Sequence, residues 1–226
     1  MAFILAHVPT LASRMAEYAT ADWFDAAFDE ETATLLYFPT GGGKSEAFFG
    51  LLVFNLFLDR LRGKSFGVTA LLRYPLRLLT LQQAQRLLSI LIQTEFVRRA
   101  QQIAGAPFEI GFWVGNGNTP NRTNDSRLDP VPLAQFGQYG NDDNATTEYD
   151  EVNRSFNKIA NCPLCKSMTG LRRIRYQTAE EIAIVCFNGE CEWNQKTASQ
   201  PLPFLIVDSD IYRHAPAVIL GVIDKL

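Results

Sequence analysis

Apolar runs are short in this sequence. The longest, Ala47 to Leu58, is interrupted by Asn55 and falls well short of the ~20 residues that a membrane-spanning helix needs. The N-terminus also lacks a basic start followed by an apolar run and a cleavage site, so no secretory signal is read there. Positive charge is not in excess. A formal net charge of -3 and a pI near 5.5 argue against a wholesale basic nucleic-acid binder. Histidine is scarce, and His7 and His214 read as ordinary structural or surface residues. The expectation is a soluble, cytoplasmic protein that makes no membrane contact. Apolar residues are plentiful, at 47% of 226 residues. That is enough for one good core, or for one core and a small appended unit, and it makes disorder an unsuitable default.

The sparse positive charge is unevenly placed. Between residues 60 and 100, Arg60, Arg62, Lys64, Arg73, Arg77, Arg86, Arg98 and Arg99 face Glu95 alone. Between 153 and 179 stand Arg154, Lys158, Lys166, Arg172, Arg173 and Arg175, with no acid among them. Contacts to a polyanion such as the DNA backbone belong on these two stretches, with Arg172, Arg173 and Arg175 as the basic arm of the second.

Pro39-Thr40-Gly41-Gly42-Gly43-Lys44-Ser45 organises the chain. Thr34 to Phe38 ahead of it is short and apolar, as a strand would be, and Glu46 to Leu61 behind it reads as an apolar helix. The glycines therefore fall at a strand-to-helix turn. Without Cβ atoms they let successive backbone N–H groups close around a phosphate, while the helix N-terminus adds partial positive charge. Thr40, Gly41, Gly42, Gly43, Lys44 and Ser45 are the candidate ATP site. Lys44 would reach the β- and γ-phosphates and Ser45 would hold Mg2+, the pair counted as catalytic. The pattern G-x-x-x-x-G-K-[ST] is met at Gly43, Lys44 and Ser45, with Phe38 in place of its first glycine. A glycine-rich turn ending in a chance Lys-Ser is the bland alternative.

Residues 1 to 31 suggest two short helices with Asp22, Asp25, Asp29, Glu30 and Glu31 on the wet side. The helix after the glycines is apolar nearly all round, which predicts burial against a sheet, and Arg60, Arg62 and Gly63 close it. Phe66 to Leu72 reads as a strand, and Pro75 opens a long helix through about Gln101. Strand, helix, strand at this spacing is a βαβ unit and implies a parallel sheet. Ile110 to Val114 is a further strand. Gly115 to Val152 carries no periodicity and seven acids from Asp125 to Glu151, which predicts a solvated, flexible insertion without chemistry. From Phe204 to Asp208 the sequence reads as a buried strand ending in an acid.

All four cysteines fall in two short-spaced pairs, Cys162-Pro-Leu-Cys165 and Cys186-Phe-Asn-Gly-Glu-Cys191, separated by a strand-like arm from Gly170 to Val185. Tight turns at Pro163 and Asn188-Gly189 would each present two thiolates, the arithmetic of a zinc ribbon with one structural Zn2+. Two disulfides, or four free core thiols, are the alternatives.

P-T-G-x-G-K-[ST] behind a variable residue resembles motif I of superfamily 2 DEAD/DEAH-type helicases. Pro75, Arg77, Leu79 and Gln82 fall on positions of motif Ia, P-T-R-E-L-x-x-Q, while Leu76 and Leu78 depart from it. Near the end, Gly221 and Leu226 match motif Ib, Lys225 stands for its Arg, and Val222 replaces its Thr. Together with C-P-x-C, these motifs resemble the helicase subunit of the bacterial DISARM anti-phage defence system. The resemblance implies an α/β fold, a RecA-like P-loop parallel sheet with flanking helices forming an incomplete first helicase lobe with an inserted zinc ribbon. Its expected parts are an N-terminal helical segment (1–31), the lobe (32–114 and 202–226), a flexible insertion (115–152) and the ribbon (153–201). The implied activity is an ATP-driven motor on DNA, with Arg77, Gln82 and Lys225 on the nucleic-acid backbone. Partners would be a C-terminal helicase lobe and other subunits of the defence system. Motif II and the second lobe are expected beyond this stretch, because Asp208 is followed by Ser209 where a helicase places its catalytic Glu. Two other readings stay open: a non-helicase P-loop NTPase or kinase with Asp208 on Mg2+, and a non-catalytic zinc-ribbon module that binds nucleic acid.

Overall fold

The computed structural model describes residues 2–13, 15–18, 20–23, 25, 33–35, 37, 41–74, 77–115, 117, 119–135, 137–139, 146–176 and 179–222, with the backbone alone at 77–80 and 176. It divides into two compact units, Met1–Arg62 and Gly63–Leu226.

The first unit is helical. Helix α1 (Ala2–Ser13) holds Pro9 internally, and α2 (Lys44–Leu61) follows the glycine turn. The rings of Phe3 and Phe48 meet edge-on at 5.8 Å. His7 stacks beside Phe3 at 4.2 Å, its Nε2 3.1 Å from Thr34 Oγ1. Of the two short helices expected before residue 31, the described residues show one, α1, followed by turns, and residues 24 and 26–32 lie outside them. Helix α2 buries one stripe, Phe49, Leu52, Leu56 and Arg60, while Phe48 and Leu61 are exposed. It is therefore not covered all round. It stops where the sequence predicted, with Gly63 at φ 89° and the Arg62 N–H bonded to Leu58 O at 3.0 Å. The predicted strand ahead of the glycines is not seen at its described positions. Thr34, Leu35 and Tyr37 are in no strand, and Leu35 and Tyr37 are each 89% exposed. A strand exists only where its N–H and C=O groups find a neighbour, and no described residue of this unit is in a strand.

The second unit is built on a parallel sheet. Strands β1 (Ala70–Tyr74), β2 (Ile110–Trp113), β6 (Phe204–Leu205) and β7 (Val218–Val222) lie in the order β1-β7-β2-β6. Ala70 pairs with Val218 and Ile110 with both Val218 and Phe204, all parallel. β2, β6 and β7 are buried nearly throughout, as strands covered on both faces are, whereas the edge strand β1 alternates and leaves Leu71 exposed. Helix α3 (Arg77–Ala100) lies against β1 and β7, burying Leu87, Leu88, Leu91 and Ile92. Near its end Glu95 is fully buried. It accepts two bonds from Arg98, at 2.8 and 2.7 Å, one from Arg99 at 2.8 Å and one from the Phe108 N–H at 3.2 Å. This carboxylate ties α3 to the segment that enters β2.

A smaller sheet carries the insertion. β4 (Thr169–Tyr176) and β5 (Ala179–Cys186) form an antiparallel hairpin, with β3 (Leu133–Ala134) parallel to β4. The region from 115 to 152 is not an unstructured loop throughout. Among its described residues Thr119, Leu128, Val131 and Tyr139 are buried. Helix α4 (Thr147–Phe156) starts at Thr146, whose Oγ1 accepts from the Tyr149 N–H at 3.1 Å. Tyr149 and Phe156, seven residues apart, are its buried face. The acids between them occupy the wet face and hide this periodicity from a charge count.

The hairpin is fastened to the parallel sheet. Leu202 N–H donates to Ile184 O at 2.8 Å beside the edge strand β6, covering a backbone edge that would otherwise be open. Helix α5 (Glu192–Thr197) places Trp193 5.8 Å from Phe96 of α3. The expected strand Phe204–Asp208 is cut to two residues. Its chain turns at Val207 into α6 (Asp208–His214), which makes Asp208 the start of a helix. Among the described residues no helix is long and apolar enough to cross a membrane.

Candidate functional site

Cys162 and Cys165 stand on a tight turn ahead of the hairpin. Cys162 N–H donates to Ser167 O at 2.9 Å, Lys166 N–H returns to Cys162 O at 3.0 Å, and Lys166 takes φ 63° to complete the reversal. The second turn leaves β5 at Cys186. Asn188 Oδ1 accepts from the Glu190 N–H at 3.0 Å, and Cys191 N–H donates to Asn188 O at 3.0 Å. Asn194 clamps both ends of that turn, its Nδ2 donating to Cys186 O at 3.0 Å and Asn188 O at 2.8 Å.

The two turns bring the four sulfurs within 4.8 Å of one another. Cys162 Sγ lies 3.6 Å from Cys191 Sγ, and Cys165 Sγ lies 3.5 Å from Cys186 Sγ. These thiols are unbonded, well beyond the ~2.05 Å of a disulfide. A tetrahedral Zn2+ with Zn–S bonds near 2.3 Å sets its sulfurs ~3.8 Å apart, so the cluster fits such an ion. Its electrostatics call for a cation. The hydrogen bond to the Cys186 thiol pulls Cys162 down to about 5. That same pairing and burial push Cys186 up, and burial first of all raises Cys191 to about 11. Four thiols this close cannot all ionise beside one another unless a metal offsets the charge.

The basic arm divides by face. Arg172 is 2% exposed, its guanidinium stacked between Phe187 at 4.5 Å and Tyr149 at 5.5 Å and bonded to Tyr149 Oη at 2.8 Å. It is a structural arginine with no face left for a phosphate, a correction to its reading as a DNA contact. Arg173 donates to Thr123 O and Leu128 O, both at 3.1 Å, and its side chain is mostly covered. Only Arg175 stands out, 74% exposed beside Glu180 at 3.5 Å. The sandwich explains Gly170. A Cβ there would lie 2.1 Å from Phe187 Cζ and 2.6 Å from Tyr149 Oη. Gly170→Ala should therefore cost about 1–3 kcal/mol by overpacking, read as a lower midpoint in chemical denaturation. An unchanged midpoint would mean that the rings give way freely.

At the glycine turn, Gly41 and Gly43 take φ 84° and 77°, left-handed conformations that a residue with a Cβ enters at a cost. Gly43 caps α2, whose first residues are Lys44 and Ser45, and the three glycines are exposed. Thr40 and Lys225 lie outside the described residues. Arg77 opens α3, its side chain likewise outside them, and Gln82 is exposed on that helix. Asp208 is buried, its N–H donating to Pro120 O at 3.1 Å.

One cluster had no signal in the local sequence. His214 places Nδ1 3.2 Å from Glu109 Oε2 and Nε2 2.8 Å from Glu181 Oε1, joining the residue ahead of β2 to β5 and α6. The hydrogen bonds to Glu109 and Glu181 raise His214 to about 10, so it is an imidazolium donating from both nitrogens. Asp210 beside it accepts from the Ile182 N–H at 3.3 Å and from Arg213 at 2.7 Å, and burial lifts its carboxyl to about 6. Residues 109 and 181 meet Asp210 and His214 of α6 only through the tertiary fold.

No known family model matches this chain. It is 33% identical over 214 residues to the DISARM protein DrmA of Bacillus paralicheniformis. That match covers 87% of this chain and 18% of the relative, so the chain spans about a fifth of the relative's length. With its four-thiol cluster and glycine turn, this chain is thus related by sequence to one segment of a DISARM protein.

Proposed function

We propose that this chain is the ATP-binding and nucleic-acid-binding part of an ATP-dependent DNA helicase or translocase acting in anti-phage defence, with one structural Zn2+ on Cys162, Cys165, Cys186 and Cys191. The observation that carries the nucleotide reading is the turn itself. Two glycines in left-handed conformation end at Lys44 and Ser45, the first residues of an 18-residue helix. Backbone N–H groups at such a helix start suit a phosphate, Lys44 its terminal oxygens and Ser45 a Mg2+ ion. The defence role is supported by the likeness to the DISARM protein. Zinc is supported by the spacing of the sulfurs, and with four thiolates taken it leaves no position for a reacting water. Contacts to the DNA backbone fall to Arg77, Gln82 and the exposed Arg175, with Arg172 and Arg173 holding the ribbon that presents it.

The test separates binding from turnover. The 226-residue chain should bind a fluorescent ATP analogue with Mg2+, and Lys44→Ala should abolish binding. In-line attack on the γ-phosphoryl also needs a carboxylate to orient water and a second cation. The family resemblance assigns both to segments outside these residues, so turnover should stay at background even with DNA added. A Lys44-dependent, DNA-stimulated ATPase in this chain would move Asp208 or Asp210 into catalysis, and equal nucleotide binding by Lys44→Ala would remove the P-loop reading.

A further inference from the structure

Between β5 and the segment that leads into β2 lies a cavity of about 170 Å3. Its walls are apolar, with Pro107, Ile182, Trp193, Leu202 and Phe204 among them, and Glu109, Glu181 and His214 also line it. Among the described residues lining it, His214 is the one basic side chain. Both imidazolium N–H groups are used, on Glu109 Oε2 and Glu181 Oε1, and Arg213 adds a contact of 3.0 Å to that same Glu181 oxygen. Glu109 Oε1 and Glu181 Oε2 therefore carry no bond from the described residues. Glu181 is nine-tenths buried, yet neither of these oxygens is among the buried polar atoms that lack a partner, so both are open to solvent. Three carboxylates (Glu109, Glu181, Asp210) meet two cations (His214, Arg213), which leaves one negative charge in excess when all are ionised.

We propose that this cavity is a binding site for the ammonium end of a short alkylamine, with N–H donors on the two open carboxylate oxygens and the alkyl chain along the apolar walls. Size fits the class. At ~30 Å3 for each water-sized atom, the cavity has room for at least roughly six heavy atoms, the bulk of a lysine side chain. An ammonium replaces the water at these two oxygens with charge-assisted hydrogen bonds, which a neutral alcohol of equal length makes more weakly. The ammonium could belong to a lysine of a partner polypeptide or to a free diamine, and both share this recognition. The site is independent of the ATP reading.

The experiment titrates the 226-residue chain with n-butylammonium at pH 8, following the Trp193 indole N–H signal by NMR. That N–H donates to Gln200 O at 2.7 Å, at the cavity wall. The expected result is a saturable shift with a dissociation constant on the order of millimolar, the range for a ligand of about five heavy atoms. Binding should be weakened about tenfold or more by Glu109→Gln, which keeps an oxygen for His214, and by the change of ligand to n-butanol. The alcohol comparison uses the unmodified chain, so it decides the matter even if the variant misfolds. Nα-acetyl-lysine methylamide binding better than 1,5-diaminopentane assigns the site to a partner lysine, and the reverse order assigns it to a free diamine. No saturable shift, equal binding of the alcohol, or unchanged binding by a folded Glu109→Gln overturns the proposal.

Discussion

Purified chain should carry one zinc ion, and Cys165→Ser should lose that ion and open the ribbon from about residue 157 to residue 200 while α2 stays helical. The size of the effect follows from what the ribbon has without metal. Its small core is Tyr139, Ile174, Ala183 and Val185, with Ala134 and Phe187 packed against it, and its two cysteine turns are closed by a few hydrogen bonds each. A structural zinc contributes ~10–16 kcal/mol in small zinc domains, as much as the ~5–15 kcal/mol of a whole domain's net stability. Losing one of four thiolates forfeits most of that contribution. Limited proteolysis before and after a strong chelator, together with elemental analysis, reads the outcome. A zinc-free preparation with a protease-resistant hairpin, or a Cys165→Ser protein as resistant as the parent, would rule the metal out as the ribbon's support.

The other large effect is expected at Glu95. Glu95→Ala leaves Arg98, itself buried, without its carboxylate and strips the Phe108 N–H of its acceptor. Breaking a buried pair by removing one partner costs about 3–5 kcal/mol. Chemical denaturation should show this, with Glu95→Gln in between because it keeps an acceptor. The pH dependence has a defined sign. Burial would push the Glu95 carboxyl up, but the hydrogen bonds from Arg98 and Arg99 outweigh it and hold the group below its ordinary value. Its contribution is therefore full above the normal glutamate range and is lost as pH falls through the depressed value. Parent and Glu95→Ala curves should converge on acidification. A constant gap down to the acid transition would mean that the pair does not titrate in the folded state.

Features set by a few neighbouring residues could be read directly. The cysteine pairs were legible because each turn is local, and the fold had only to bring two turns together. The end of α2 was legible for the same reason, with Arg62 and Gly63 closing it. Where partners came from afar, reading by segment failed. Thr34 to Phe38 has strand composition, but its described residues Thr34, Leu35 and Tyr37 are in no strand. Phe204 to Asp208 looked like a strand ending in a metal-binding acid. Only Phe204 and Leu205 pair, however, because β6 is an edge strand and the chain turns into α6 at Val207. Arg172 was counted with the surface charges, and nothing nearby announced that Tyr149 and Phe187 would enclose it. The Glu109–His214–Glu181 bridge joins residues 72 and 33 positions apart, from the residue ahead of β2, from β5 and from α6 (181 − 109 and 214 − 181).

The position of β7 bears on how the chain is made. The last strand in sequence lies between β1 and β2, so those two cannot pair with each other and must wait, a strand's width apart, for residues 218 to 222. Ala70 is paired with Val218, 148 positions later (218 − 70). At ribosomal rates of about 5–20 residues per second, that is a delay of roughly 7–30 s. Through that interval β1 lacks the neighbour that it has in the folded protein. The two strands of the hairpin and all four thiols, by contrast, have been made once Cys191 has emerged. In the order of synthesis, the parts of the ribbon are therefore complete before those of the four-stranded parallel sheet.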